Sequence, residues 1–474
     1  MGWVIRVTLL GLGFTALCGC GRRDPAGPAN ADSSSALLSG SVILGRPTDR
    51  SITASLLSDR TGDVWLEYGT QSGSYPLTSA HVSLQAGVPA NLELPGLQAD
   101  TRYVYRVRTA ADSGSGVEPP AEHAFRTQRS RGSTFSFTVD ADPHWGEANF
   151  DSSVYAAAMT SIRADAPDFH IDLGDNFMTE KRGAASYADA VRSVSALRPF
   201  WGIAGPSVPI LLVIGNHEGE QGWSLDGTAE NLPLWATRAR QAYYPNPVPN
   251  AFYSGSSTSE PFIGVRDGYY AFEWGDALFV VLDPYWYTTT IPNHAYWNFT
   301  LGAEQCAWLA RTLRGSSAKF KFVFTHQLLS GIGDNPRGGV EATPYYEWGG
   351  RNADSTWGFD QHRPGWGTPI HQLLVETGVT AVFHGHDHFY DKQVLDGIVY
   401  QLVPQPSFAR ADGSQSATAY GYLSGEILSS SGYLRIRVTP SQATVEYVKV
   451  YAPGLGAGMQ TGTVATSYIL APRP

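Results

Sequence analysis

Five short polar clusters, each placed directly after a run of apolar residues, limit what this chain can become. In chain order they are Asp140-Ala141-Asp142-Pro143-His144, Leu173-Gly174-Asp175-Asn176, Gly215-Asn216-His217-Glu218, Thr325-His326 and Gly385-His386-Asp387-His388. The apolar runs before them, residues 135–139, 169–173, 209–214, 320–324 and 379–383, read as buried strands separated by helix-like segments. That alternation predicts an α/β sheet, in which functional residues collect beyond the carboxyl ends of the strands. Further strands are expected at 269–273 and 277–282, turned through Trp274-Gly275-Asp276, and at 397–403 and 433–438.

The residue types in the clusters point to metal chemistry. His386-Asp387-His388 on a loop can aim two imidazoles at neighbouring ions, and Asp142-Pro143-His144 offers a carboxylate and an imidazole from one turn. Mixed nitrogen and oxygen donors suit Zn²⁺, Mn²⁺ or Fe and suit Ca²⁺ poorly. Asp175, alone at a tight turn, is able to bridge two ions roughly 3.5–4 Å apart, the spacing of two-metal hydrolytic sites. Two carboxylates against two divalent ions leave a net positive site, which attracts phosphate even on a chain of net charge −10. The same negative charge, with no basic stripe, argues against a nucleic acid duplex as partner.

As an ordered set the clusters resemble the signature of the calcineurin-like metallophosphoesterases, over roughly residues 133–405. The resemblance implies a four-layer α/β/β/α sandwich that cleaves small phosphate esters by in-line attack of a hydroxide bridging two divalent ions of Mn, Zn or Fe. It implies Asp142, His144, Asp175 and His388 on one metal, and Asp175, Asn216, His326 and His386 on the other. His217 is left without a metal, facing the scissile phosphate, where it stabilises the transition state or protonates the leaving oxygen. Monoesters are favoured, with diesters or nucleotides as the alternative. A rival of another class is a surface binding protein with an inactive phosphoesterase domain, but a dead site loses ligands and all seven are present.

Other polar residues near the clusters receive supporting roles. Asp140, Asp172, Asp387 and Glu218 are expected to accept hydrogen bonds behind the ligands or to cap strand ends, and His170 and His384 to pack or to support the ligands from behind. The long stretches 219–268 and 330–367 are rich in Gly, Pro and aromatics, and loops of that length usually have a task. Trp223, Tyr243, Tyr244, Trp348, Trp357 and Trp366 are candidates to wall a pocket, and Arg351, His362 and Arg363 to contact phosphate.

The flanks complete the layout. Residues 133–450 are expected to form the catalytic domain, followed by a C-terminal extension at 451–474. Residues 41–128 alternate with period two between turns, which predicts a small all-β sandwich. Leu94-Pro95-Gly96-Leu97 through Tyr103-Val104-Tyr105 resembles the late strands of a fibronectin type III module. This domain order is similar to that of plant-type purple acid phosphatases. Met178, however, stands where that branch has a tyrosine, and His144 where it generally lacks a histidine, so no tyrosinate-to-iron colour is implied.

Residues 21–40 have the composition of a solvated tether, and 1–20 read as an export signal: Arg6, an apolar run at 7–17, then Cys18-Gly19-Cys20. The run is too short to span a bilayer and resembles a lipoprotein signal with Cys20 as the lipidated residue. Lipid anchoring in a bacterial cell envelope is the expectation, a periplasmic or secreted protein the alternative. Cys306 is then the remaining thiol, with Cys306, Leu309, Ala310 and Leu313 on one helical face, which predicts a small buried hydrophobe and not a nucleophile.

Overall fold

The computed structural model describes residues 41–110, 120–292, 296–332, 337–408, 413–454 and 459–473. The expected signal, tether, Cys18 and Cys20 lie outside these residues. Two sheets face each other. The six-stranded sheet runs, in spatial order, Ile210–Leu212, Phe169–Asp172, Phe135–Asp140, Gly432–Val438, Ala443–Lys449 and Val464–Leu470. The eight-stranded sheet runs Ser254–Gly255, Tyr270–Trp274, Ala277–Val281, Phe320–Thr325, Ala381–His384, Ile398–Leu402, Tyr390–Leu395 and Glu426–Leu428. The first three strands of the smaller sheet are parallel, as are the four from Ala277–Val281 to Ile398–Leu402, so each set ends at one edge.

Strand alternation decides what lies between the sheets. Phe137, Phe169, Phe279, Phe322, Phe324 and Phe383 point inward and are fully buried, with the Phe137 ring 5.0 Å from Phe279 and 6.5 Å from Phe383. Each such burial contributes about 2–3 kcal/mol. The outer face of the six-stranded sheet is covered by helices Ser152–Asp165, Tyr187–Ser195, Arg198–Ala204 and Leu232–Tyr243. The outer face of the other is covered by Gly302–Gly315 and Ile370–Glu376. The four layers are therefore α/β/β/α. Cys306 is buried in the helix Gly302–Gly315, and burial pushes its thiol up to about 12, so it stays a thiol.

An all-β unit precedes the sandwich. One sheet, Ser41–Gly45, Ile52–Leu57 and Ala90–Leu94, faces a second built on Gly62–Gly69, Arg102–Thr109 and His123–Arg126, with Leu44, Leu56, Leu66, Leu92 and Phe125 between them. It is tied to the helical layer by Arg198, whose buried guanidinium donates to the carbonyls of Ser55 and Tyr243. The segment read as a C-terminal extension supplies the edge strand Val464–Leu470, paired antiparallel with Ala443–Lys449.

The stretch 219–268 is not simply a loop. It holds the helix Leu232–Tyr243, started by the Asn231 side chain accepting from Leu234 N–H, and a buried ion network pins it. Glu220 accepts from Arg240 at 2.6 Å and from Arg266 at 3.1 Å; Arg240 also reaches Asp267 and Arg266 reaches Asp283. Burial alone would raise the Glu220 carboxyl, but the two guanidiniums outweigh it and hold its pKa down at about 2. A depressed carboxylate stabilises the fold fully above its unfolded value, about 4.5, and this stabilisation disappears as pH falls toward 2. The gap corresponds to about 3 kcal/mol. Urea unfolding should therefore show Glu220→Gln weakened by roughly 3–5 kcal/mol at pH 7, with two guanidiniums left under-paired, and a shallower further loss in acid. Equal stability at pH 7 would contradict the network's role.

Candidate metal centre

The clusters adopt their shape because the backbone is bent into unusual conformations at the residues that matter. Asp142, His144, Asp175, His386 and His388 all have left-handed φ, between 56° and 77°. Asp and His tolerate this region better than branched residues, at a cost of order 1–3 kcal/mol each. The bends turn each chain back at its strand end, so that side chains face one point. Gly174 and Gly385 allow the turns to approach: a Cβ on Gly174 would lie 2.4 Å from Gly215 N, and one on Gly385 2.7 Å from Asp142 Oδ2. Backbone bonds lock the crossing, with Asp142 N–H donating to Gly174 O and His144 N–H to Asp175 O.

Glu218 fastens two of the turns from behind. Its buried carboxylate accepts from the backbone N–H of Gly215, Asp175, Asn176 and Phe177. It thus acts as the acceptor that its position after Asn216-His217 suggests.

All seven expected ligands come together. Asp175 Oδ2 lies 3.4 Å from Nε2 of both His144 and His326, and Asp142 Oδ1 lies 3.6 Å from Nε2 of both His144 and His388. His326 Nε2 is 3.0 Å from Asn216 Oδ1 and 3.3 Å from His386 Nδ1. Two donor trios result, Asp142–His144–His388 and Asp175–His326–His386, each with its donor atoms within 4.8 Å of one another.

The electrostatics suit cations. Burial works against a charge on His144 and His326, but Asp142 and Asp175 outweigh it and raise their pKa values to about 9 and about 10. Burial, with nearby positive groups, holds His388 down at about 3 and His386 well below its ordinary value, leaving both neutral with a lone pair to offer. Asp142 Oδ1 and His144 Nε2 are buried without a hydrogen-bond partner. Such orphaned donor atoms, in a set of carboxylates, amide and imidazoles, fit divalent ions of the Zn²⁺, Mn²⁺ or Fe²⁺ type.

His217 sits beside this cluster and is one-fifth exposed, its Nε2 4.0 Å from Asp175 Oδ2. Its backbone N–H donates to Asp175 Oδ1 at 2.7 Å, and Nδ1 is 3.0 Å from Glu180 Oε2, a partner that the sequence patterns do not reveal. Arg337 also escaped the sequence reading. It donates to His386 O and Asp387, stacks over Tyr420, and shares Asp387 with the Tyr422 hydroxyl. Its only signal was its place in the 330–367 stretch.

Of the residues expected there to contact phosphate or substrate, Arg363 is buried and internally engaged, while Arg351 and His362 are exposed. Arg363 is spent on Glu347 and the Trp297 and Phe299 carbonyls, His362 stacks on Trp297, and Arg351 donates to Ser355 O. The aromatics mostly pack: Trp348 is bonded to Tyr400, and Tyr243 and Tyr244 are buried with their hydroxyls on backbone carbonyls. Trp357 remains half exposed.

A two-sheet sandwich with such a carboxylate and imidazole cluster at its strand ends defines the metal-dependent phosphoesterases. Residues 135–390, more than half of the chain, match the profile of the calcineurin-like phosphoesterases, and the chain belongs to that family. Among solved structures it is similar to that of PhoD, with a TM-score of 0.64, 17% identity and coverage of 91% of this chain and 90% of that one. It is also similar to the purple acid phosphatase PPD1 from seeds of yellow lupin, Lupinus luteus, with a TM-score of 0.59, 14% identity and coverage of 91% and 74%. Both are likenesses of fold. No curated protein sequence matches the chain.

Proposed function

We propose that this chain is an exported dinuclear phosphoesterase acting on small phosphate monoesters. The convergence of all seven donor residues on one point carries this reading. Asp142, His144 and His388 would hold one ion, Asn216, His326 and His386 the other, and Asp175 both. When bound, the two ions supply Lewis acidity toward a phosphoryl oxygen and lower the pKa of a water toward about 7. The protein's own residues do the rest. Asp175 positions His217 through its N–H, and Glu180 orients the ring so that Nε2 is left for the substrate. As a water oxygen bonds to phosphorus and the ester P–O bond breaks, His217 gives a proton to the departing alkoxide. Alcohol and inorganic phosphate are formed, and the proton released by the water restores the histidine.

The test is hydrolysis of para-nitrophenyl phosphate against its bis ester by protein loaded with Mn²⁺ or Zn²⁺. Faster cleavage of the bis ester overturns the preference, and cleavage of neither overturns the enzyme reading. His217→Ala should lower turnover by roughly 10²–10⁴-fold while leaving the metal content unchanged, the magnitude of a lost general acid. Loss of metal in that variant contradicts the role. Export rests on the pattern from Arg6 to Cys20, and mass spectrometry of the mature N-terminus tests acylation of Cys20.

A further inference from the structure

A second polar cluster lies under the metal centre, on the other face of the six-stranded sheet. Phe137, Val139, Phe169 and Ile171 point into the core between the sheets, so strand alternation sends Thr138, Asp140, His170 and Asp172 the opposite way, toward the helical layer. The parallel register pairs His170 with Thr138 and Asp172 with Asp140, which sets the four side chains in a square. Asp140 and Asp172 are fully buried and His170 is 1% exposed.

The bonds within the square leave atoms unsatisfied. Asp140 Oδ1 lies 2.9 Å from His170 Nε2, and Asp172 Oδ1 accepts from Gly174 N–H and from the Asn176 amide. Asp140 Oδ2, Asp172 Oδ2 and Asn176 Oδ1 are buried and have no hydrogen-bond partner. Two carboxylates on facing positions of adjacent strands, each with an orphaned oxygen, are costly to bury unless a positive charge lies between them. One donor atom each from Asp140, His170 and Asp172 lies within 4.8 Å of the others, as in the two trios of the metal centre.

His170 is also held as a ligand would be. Its Nδ1 is 2.9 Å from the Thr138 hydroxyl, which turns Nε2 toward the carboxylates. His326 has the same arrangement, Nδ1 fixed by Leu173 O at 2.9 Å and Nε2 turned to the site. A partner on the far nitrogen that fixes ring and tautomer is the usual support for a metal-binding histidine.

We propose that Asp140, His170 and Asp172 bind a further divalent cation, separate from the metal centre. The imidazole selects the Zn²⁺ or Mn²⁺ class over Ca²⁺. The ion joins the strands Phe135–Asp140 and Phe169–Asp172 just before they turn to present Asp142 and Asp175. It is thus a structural ion that positions the turns, and these three residues do more than the hydrogen bonding and packing that the sequence suggests for them.

Anomalous difference maps, recorded on either side of the Zn or Mn edge from crystals of protein grown with that metal, test the site directly. The expected result is a peak between Asp140, His170 and Asp172, apart from any peak at Asp142 and Asp175. No peak there overturns the proposal, and a proton shared between the two carboxylates would then account for the orphaned oxygens. Missing peaks at Asp142 and Asp175 would count separately, against the reading of the metal centre. In solution, the ion count per chain should fall by one in D140N/D172N, and an unchanged count overturns the proposal. If that double variant does not fold, the map of the parent chain decides.

Discussion

Asp175→Asn protein should hydrolyse para-nitrophenyl phosphate on the order of 10³-fold more slowly than the parent, the upper range for loss of a single electrostatic group at a reacting centre. Asn has the same shape, so the turn persists, but the anionic oxygen that lies 3.4 Å from both His144 and His326 is gone. Burial opposes the charge on Asp175, yet His326, His217 and His144 hold the carboxyl well below its usual range. One donor trio loses a member and the other its anionic neighbour, and metal content measured by mass spectrometry should fall with the activity. Full metal content together with near-parental turnover would show that Asp175 is not central to the site.

Glu218→Ala should strongly destabilise the fold although Glu218 is not in the donor set. The carboxylate accepts from four backbone N–H groups, at 2.5 Å from Gly215, 3.0 Å from Asp175, 2.6 Å from Asn176 and 3.4 Å from Phe177. Each buried donor left without an acceptor costs about 1–3 kcal/mol, so a loss of about 4 kcal/mol or more is expected. Urea unfolding at pH 7 reads it directly. Metal affinity should weaken by roughly 10–100-fold, because the turns that carry Asp175 and Asn216 lose their common tie. A stability within 1 kcal/mol of the parent would refute the role given to Glu218.

Much of the sandwich was legible because its signals are local. The runs at 135–139 and 320–324 become the strands Phe135–Asp140 and Phe320–Thr325 almost unchanged, since length and apolar content suffice to define a buried strand. The edge strand Val464–Leu470 was not legible, because one of its faces is exposed and its apolar residues alternate weakly. The ion network of Glu220, Arg240, Arg266, Asp267 and Asp283 was hidden for another reason. Charged residues scattered through 220–283 look like a solvated surface, and only packing shows that all five are buried together. Trp348 and Arg363 misled in the opposite direction: aromatic and basic residues in a long loop suggest a binding wall, whereas here they hold the loop to its own core.

The sequence by itself determined which residues could meet. Each polar cluster is a local event, a strand end followed by a turn; Gly174 takes a positive φ there, whereas glycine at 385 is required by the close approach of Asp142. The tertiary structure decided that they do meet, and what surrounds them. His386 N–H donates to Asp142 across 244 positions, Glu180 holds His217, Arg337 closes on His386 and Asp387, and Asp140 faces Asp172 in the layer beneath. Such partnerships depend on sheet register and on the path of long connections, which bring together polar groups whose sequence neighbours carry no trace of one another.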